Sequence, residues 1–334
     1  MPTISTRRRS LQLGAVAAAA LALGLPLTAA QAQSDWPTKP IRMVVGFPAG
    51  SITDTVARIM SDHLSKTLGQ PVVVENKPGA NGSLGVGEVA RAPADGYTLL
   101  FTNSSSITIN PQLYKKSPYK AKDFTPITVA VDAPFILIAN PAWTQKNNIQ
   151  NPKDMIGYAQ RNPDRISYGS AGPGNIAHLS FTSWGNRTSA RMTHVPYKGS
   201  AQAQMAVMSG ELDTMFETWA ALPQIQAGKL KALAVTAPQR MKQLPNVPTM
   251  AEAGYDNFNV IFWLGMLGPA NLPQPIVQKL YDASKSLAQD ARATAALASL
   301  GEVVMLEPGK FSQRISKEVQ EWGGAIQREG LSLD

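Results

Sequence analysis

Short, largely apolar runs alternate with helical periodicity along most of this chain. Residues 41–45, 72–74, 98–101, 135–139 and 233–235 have strand length and are predicted as buried strands. After the first of them, Val56, Ile59, Met60, Leu64 and Leu68 recur at the spacing of one helix face. The segments 203–208, 276–287 and 311–326 are also predicted as helices. A strand is predicted over 212–216, and the run from 258 to 267, closed by Pro269, reads as a strand crossing back between halves of the molecule. Strands that alternate with helices predict an α/β fold, with mixed or parallel sheets flanked by helices. Loop-rich stretches fall at 118–126, 140–152 and 239–254. About 300 residues favour two lobes over one.

The first residues follow a different pattern. Arg7, Arg8 and Arg9 precede an Ala-rich apolar stretch over 11–27, and Ala30-Gln31-Ala32 fits a small-residue cleavage site. Residues 1–32 are therefore predicted to be a removed signal peptide, too short in its apolar part for a membrane span. Arg8-Arg9 leaves the choice between general and twin-arginine export open. Removing this segment takes three Arg and no acid from a formal charge of +8, leaving +5. That excess suits an anionic small ligand or an anionic surface. With no run of five basic residues and no basic stripe interleaved with aromatics, nucleic acid is not expected as a partner. Cysteine is absent, so an exported protein of this length relies on its own core. The expected location is the periplasm, as a soluble monomer.

Two glycine turns carry the candidate chemistry. The first, Gly46-Phe47-Pro48-Ala49-Gly50, joins a strand to a helix opening at Ser51. Such a junction aims backbone N–H groups and the positive end of the helix dipole at whatever lies above the strand end. The second, Tyr168-Gly169-Ser170-Ala171-Gly172-Pro173-Gly174-Asn175, has the same form. Two helix starts facing one cleft would grip a carboxylate from both sides. Ser51 and Asp54 have capping-box spacing, and Asp54 would repel a bare carboxylate unless a water intervenes or its charge points at backbone donors. Thr102, Ser104 and Ser105 follow a strand and offer hydroxyls at its carboxyl end; the alternative is a polar turn. His178, in the first turn of the second helix, is expected neutral because the dipole disfavours its protonation. Glu217, Thr218 and Trp219 follow another strand, with Trp219 either a flat wall for a ring-bearing ligand or a core residue.

Enzyme chemistry finds little support. There is no G-x-S-x-G elbow. A periplasmic hydrolase using Ser170 or Ser104 with His178 is the remaining catalytic alternative. His63, His178 and His194 stand apart in sequence, with no H-E-x-x-H, so neither a metal nor a cofactor is expected. Gly85-Val86-Gly87-Glu88-Val89-Ala90 fits a dinucleotide-binding pattern but does not directly follow a strand. Gly79, Gly82, Gly85 and Gly87 are expected instead to serve a tight loop and close helix packing.

In order along the chain stand Trp36-Pro37-x-Lys39-Pro40-Ile41-Arg42, Phe47-Pro48-Ala49-Gly50, Asp54-x-x-Ala57-Arg58 and Val74-Glu75-Asn76-Lys77-Pro78-Gly79-Ala80-x-Gly82. Then come Asp95-Gly96-Tyr97-Thr98-Leu99-Leu100, Asn110-Pro111-x-Leu113-Tyr114, His194-Val195-Pro196-Tyr197-Lys198-Gly199 and 228–236. Leu244-Pro245-x-Val247-Pro248-Thr249 and Glu252-Ala253-Gly254 complete the series. From about residue 36 to near the C-terminus the chain resembles the Bug-type substrate-binding proteins of tripartite tricarboxylate transporters. The resemblance implies a two-lobed, type II periplasmic binding (Venus-flytrap) fold, with 33–128 and 262–334 forming lobe I and 129–261 lobe II. It implies a small carboxylate ligand held between the two helix starts, and membrane permease subunits as partners. Ligand contacts would fall on Phe47, Ala49, Gly50, Ser51, Thr53, Asp54, Thr102, Ser104 and Ser105. In the second lobe they would fall on Ser170, Ala171, Gly172, Asn175, His178, Glu217, Thr218 and Trp219. Three residues depart from the family's pattern: Ser51 stands where a second Gly is usual, Trp219 is bulkier than expected, and Gln202 replaces a Pro, a change expected to leave the site alone. A citrate-like di- or tricarboxylate and an aromatic acid such as terephthalate both remain candidates. A ligand-loaded sensor for a signalling receptor is the alternative to transport.

Overall fold

A computed structural model describes residues 36–256, 258, 260–328 and 330–333. The predicted signal peptide lies outside the described residues. Strand β1 (Ile41–Val45) is apolar throughout except Arg42 and lies between β2 (Val72–Asn76) and β3 (Thr98–Asn103), parallel to both. Helix α1 (Ile52–Leu68) links β1 to β2. It starts where the Ser51 hydroxyl accepts the Asp54 N–H and stops where Gly69 turns left-handed, and it buries Val56, Ala57, Met60 and Leu64. The short helix α2 (Ser83–Val89) covers the other approach to β1. Here the glycines act as expected from sequence: a Cβ on Gly46 would stand 2.6 Å from the Gly82 carbonyl oxygen, and one on Gly85 would stand 3.0 Å from Gly46 Cα.

The chain leaves this sheet along β4 (Phe124–Pro134) and returns along β10 (Ile261–Pro269), two strands paired antiparallel over most of their length. With β11 (Glu302–Val303) they complete a six-stranded sheet in the order β11-β4-β10-β3-β1-β2. The sequence reading missed β4, treating 118–126 as loop because of its prolines. Pro126 is accommodated because the register shifts beside it, between Met266 and Leu267. Between the two crossings lie β5 (Ile136–Ala139), β6 (Ser167–Ser170), β7 (Thr193–Pro196), β8 (Thr214–Glu217) and β9 (Lys231–Val235), in the order β7-β6-β8-β5-β9. β5 is antiparallel to both neighbours, as β10 is in the six-stranded sheet, so both sheets are mixed.

Helices α3 (Pro152–Arg161), α4 (Ile176–Arg187) and α5 (Ser200–Ser209) belong to the five-stranded sheet; α6 (Gln274–Lys285), α7 (Ala291–Ala298) and α8 (Pro308–Arg328) follow β10. α8 is pinned to β4 by ion pairs. Arg314 reaches Asp132 at 2.8 Å and Glu318 at 2.9 Å, and Glu318 also accepts the Trp263 indole N–H. Residues from Lys39 onward form one compact unit. No described helix is long and apolar enough to cross a membrane.

Candidate functional site

A cleft of about 490 Å3 opens where the carboxyl ends of β1, β3, β6 and β8 converge. Its aromatic floor comes from Phe135, Phe216 and Phe262, with ring centroids 6.4 Å (Phe135–Phe216) and 5.8 Å (Phe135–Phe262) apart. Phe47, Met215, Ala171, Ala177 and Ala220 extend the apolar lining. Polar groups enter at three helix starts.

The first is the turn before α1, where Phe47, Ala49, Gly50, Ser51 and Thr53 line the cleft. Asp54 does not line it. It is 2% exposed, and its carboxylate faces inward. Oδ2 accepts Gly50 N–H at 2.9 Å and Arg58 Nε at 3.0 Å, while Oδ1 accepts Asn76 Nδ2 at 2.9 Å and Arg58 Nη2 at 2.9 Å. Burial alone would raise its pKa, but the bonds from Arg58, Gly50 and Asn76 outweigh that and hold it below the usual carboxylate range. The Gly50 amide is thus committed to Asp54, and the Ser51 amide to the Pro48 carbonyl at 3.2 Å. Among the described residues, Ile52 and Thr53 keep N–H groups with no acceptor. These two amides are the first turn's free donors, rather than Gly50 and Ser51.

The second start is that of α4. Ala171 and Asn175 line the cleft, but its donors are largely satisfied from within. Asn175 Oδ1 accepts Ala177 N–H at 2.9 Å, and Ser105 Oγ accepts Ile176 N–H at 3.2 Å. Ser170 and Gly172 sit behind the turn: Ser170 Oγ accepts the Gly172 N–H at 3.1 Å and donates to the Gly172 carbonyl at 3.0 Å. His194 lies 2.7 Å from the same hydroxyl. These bonds are all satisfied when His194 Nε2 carries the hydrogen and donates it, which leaves Ser170 no base to activate it. His178, the base considered from sequence, instead accepts the Gly174 N–H on Nδ1 at 3.1 Å. Far from standing apart, His178 and His194 stack with ring centroids 3.9 Å apart. Burial drives His178 down to about 4; burial and the neighbouring His178 drive His194 down to about 3. His178 is neutral as expected, but it supports the turn from below and does not line the cleft.

The third start went unrecognised in sequence. α5 begins at Ser200 with Gly199 before it and no side-chain cap, and Lys198, Gly199, Ser200, Ala201 and Gln202 all line the cleft. Among the described residues the N–H groups of Ser200, Ala201 and Gln202 have no acceptor. The Tyr197-Lys198-Gly199-Ser200 junction repeats the strand–glycine–helix pattern of the other two. Gln202, expected to matter only for helix initiation, belongs to the lining.

Thr102, Ser104 and Ser105 are fully buried and do not reach the cleft, because the chain after β3 tightens into a helical turn (Ser105–Ile109) where an open polar loop was expected. Asn103 lines the cleft in their place, donating to Thr53 Oγ1 at 3.4 Å. Glu217 and Thr218 also line it. Trp219 does not: it packs with Ile136, Ile138, Leu222 and Val235 in the core of the five-stranded sheet. Among the described residues no three His, Asp or Glu side chains converge on a point that could hold a metal ion.

Over residues 56–331 the chain matches the family model described as "Tripartite tricarboxylate transporter family receptor". The periplasmic binding protein BugD superposes with a TM-score of 0.79 at 36% identity, covering 89% of this chain and 99% of BugD. Rpa4515 of R. palustris, solved with adipate, gives a TM-score of 0.81 at 29% identity, covering 89% and 99% of the two chains. MatC from Rhodopseudomonas palustris, with bound malate, gives 0.79 at 30% identity, covering 87% and 100%.

Proposed function

This chain belongs to the tripartite tricarboxylate transporter receptor family, whose members are solute-binding proteins rather than enzymes, and we propose that it captures a small organic carboxylate in the periplasm. The observation that carries the reading is the pairing of chain turns around one cleft. Amides at Ile52 and Thr53 that have no acceptor among the described residues on one side and the start of α4 with Ala171 lining the other favour a single anionic group between them. An aromatic and aliphatic lining suits the hydrocarbon body of such an acid. Two solved relatives carry adipate and malate, and that both are small organic acids supports the reading.

In this reading residues 33–128 and 262–334 form one lobe and 129–261 the other, and a ligand touching both shifts the protein toward closure, because only differential contacts move such an equilibrium. The loaded form delivers its cargo to membrane permease subunits, and residues 1–32 direct export. The direct test is native mass spectrometry of the protein as purified, followed by calorimetry with the released compound and thermal-shift measurements against an organic-acid panel. A carboxylate that raises the melting temperature in a concentration-dependent way is the expected result. A response to sugars or amines, with none to any organic acid, refutes the reading.

A further inference from the structure

Glu217 is the acid that the carboxylate grip does not use. It ends β8 with 1% exposure yet lines the cleft. Oε1 accepts the Thr218 N–H at 2.7 Å and the Thr218 hydroxyl at 3.0 Å; Oε2 is buried with no hydrogen-bond partner among the described residues. Such an orphaned oxygen is costly unless something in the occupied cleft meets it. Beside it stands the uncapped start of α5, with amides that also lack acceptors. An ionised Oε2 would be expected to draw in such donors, and it takes none of them.

The surrounding charges do not compensate it. Lys198 is exposed at the rim and forms no ion pair with Glu217 among the described residues. Ile136 stands opposite it on β5, and on α5 the Ser200 hydroxyl is close without bonding Oε2. Asp213, at the other end of the same segment, holds Ser167. Asp54 is neutralised by Arg58, and His178 and His194 serve the turn after β6. Burial is the largest influence on Glu217 and pushes its pKa up, against weaker lowering by Thr218 and Ser200.

We propose that Glu217 and the start of α5 form a second subsite in this cleft, in which Glu217 as a neutral carboxylic acid donates its Oε2 hydrogen to a second carboxylate of the cargo while the α5 amides donate their N–H groups to the same carboxylate. The site thereby selects dicarboxylates over monocarboxylates of the same length. This rests on the carboxylate reading given above. Because binding needs the protonated acid, affinity is full below the Glu217 pKa of the free protein and declines as pH rises past it, about tenfold per unit.

The test compares succinate, adipate and suberate with butyrate, hexanoate and octanoate, by calorimetry from about pH 6.5, where the free acids are ionised, to about pH 9. Wild type should prefer the tightest diacid over its monoacid by at least about tenfold at the lower pH, and the preference should shrink once pH passes the Glu217 pKa. Glu217→Gln, which keeps an N–H donor in place of the O–H, should retain the preference and show no pH dependence; its melting curve checks that it folds. Monoacids that bind as tightly as diacids overturn this inference and leave the carboxylate reading intact. A folded Glu217→Ala variant that keeps the full wild-type preference for diacids also overturns it. If none of these acids binds at any pH, this inference falls, and the carboxylate reading falls with it when the wider organic-acid panel, aromatic acids and tricarboxylates included, also gives no response.

Discussion

Asp54→Ala is the sharpest probe of the first turn, because Asp54 fixes the geometry without touching the cleft. Removing the carboxylate leaves Gly50 N–H, Asn76 Nδ2 and two Arg58 donors without their acceptor. Hydrogen bonds to a charged group contribute about 1.5–3 kcal/mol each. Taking the low end for the Gly50 and Asn76 bonds gives about 3 kcal/mol. Arg58 is half exposed and adds only the few tenths expected of a solvent-screened i,i+4 pair. With an unfolding entropy of about 2.1 cal/mol/K per residue over about 300 residues, the melting temperature should fall by about 5 °C. Asp54→Asn keeps one acceptor and should lose about half as much. Asn76 Nδ2 also donates to the Phe47 carbonyl at 3.0 Å, so loosening it disturbs the whole Phe47–Gly50 turn. Carboxylate affinity should then drop by about tenfold even though Asp54 makes no ligand contact. The pH dependence follows from the depressed pKa. The stabilisation is complete above the ordinary value of 3.8 and disappears as pH falls through the lower folded value. Thermal melts and calorimetry on both variants measure all three effects. If Asp54→Ala melts and binds like wild type, the carboxylate is not what holds the turn.

The stacked histidines give a second, separate acid response. The unfolded chain takes up protons near pH 6.5 while the folded pair resists until about 4 for His178 and about 3 for His194, so stability should fall as pH drops below about 6.5. His194→Gln, which keeps a donor for Ser170, should make that decline shallower in melts across pH. Gly46→Ala should lower stability in urea titration by about 1–3 kcal/mol, because its Cβ would meet the Gly82 backbone at 2.6 Å. Gly309→Ala, open on every side, should instead gain about 0.5 kcal/mol. Ser105→Ala should reduce stability by about 1 kcal/mol, since Ile176 N–H loses its acceptor.

What the sequence disclosed was what local chemistry controls. α1 announced itself through Ser51, Asp54 and the Val56–Leu64 stripe, and the strand ends through apolar runs beside glycine. β4 stayed hidden because Pro126 signals a break, whereas its tolerance depends on a register shift set by β10, more than 130 residues away. Trp219 was equally undetermined: the same residue serves as wall or core, and only the packing of Ile136 and Val235 around it decides. The hydroxyls of Ser104 and Ser105 turned inward because a helical turn replaced an open loop. The pairing of His178 with His194 was not legible from their spacing, since β6 and β7 must first align. The α5 start was legible in principle, for Gly199-Ser200 after a strand is the signature already recognised twice.

Two buried acids near one cleft show how surroundings, rather than residue type, assign roles. Asp54 sits beneath a turn that attracts anions, which looks self-defeating until its partners are counted: Arg58 cancels its charge, and backbone and amide donors occupy its oxygens. It therefore stiffens the left-handed Gly50 (φ +79°) without opposing an incoming carboxylate. Glu217 has a comparable burial but, among the described residues, no cation and one oxygen without a partner. Burial raises the pKa of both; only Asp54 has enough donors to reverse the effect. The consequence is a division that neither side chain could impose alone, with an ionised acid locked into the scaffold and a second acid whose missing partner must come from whatever fills the cleft.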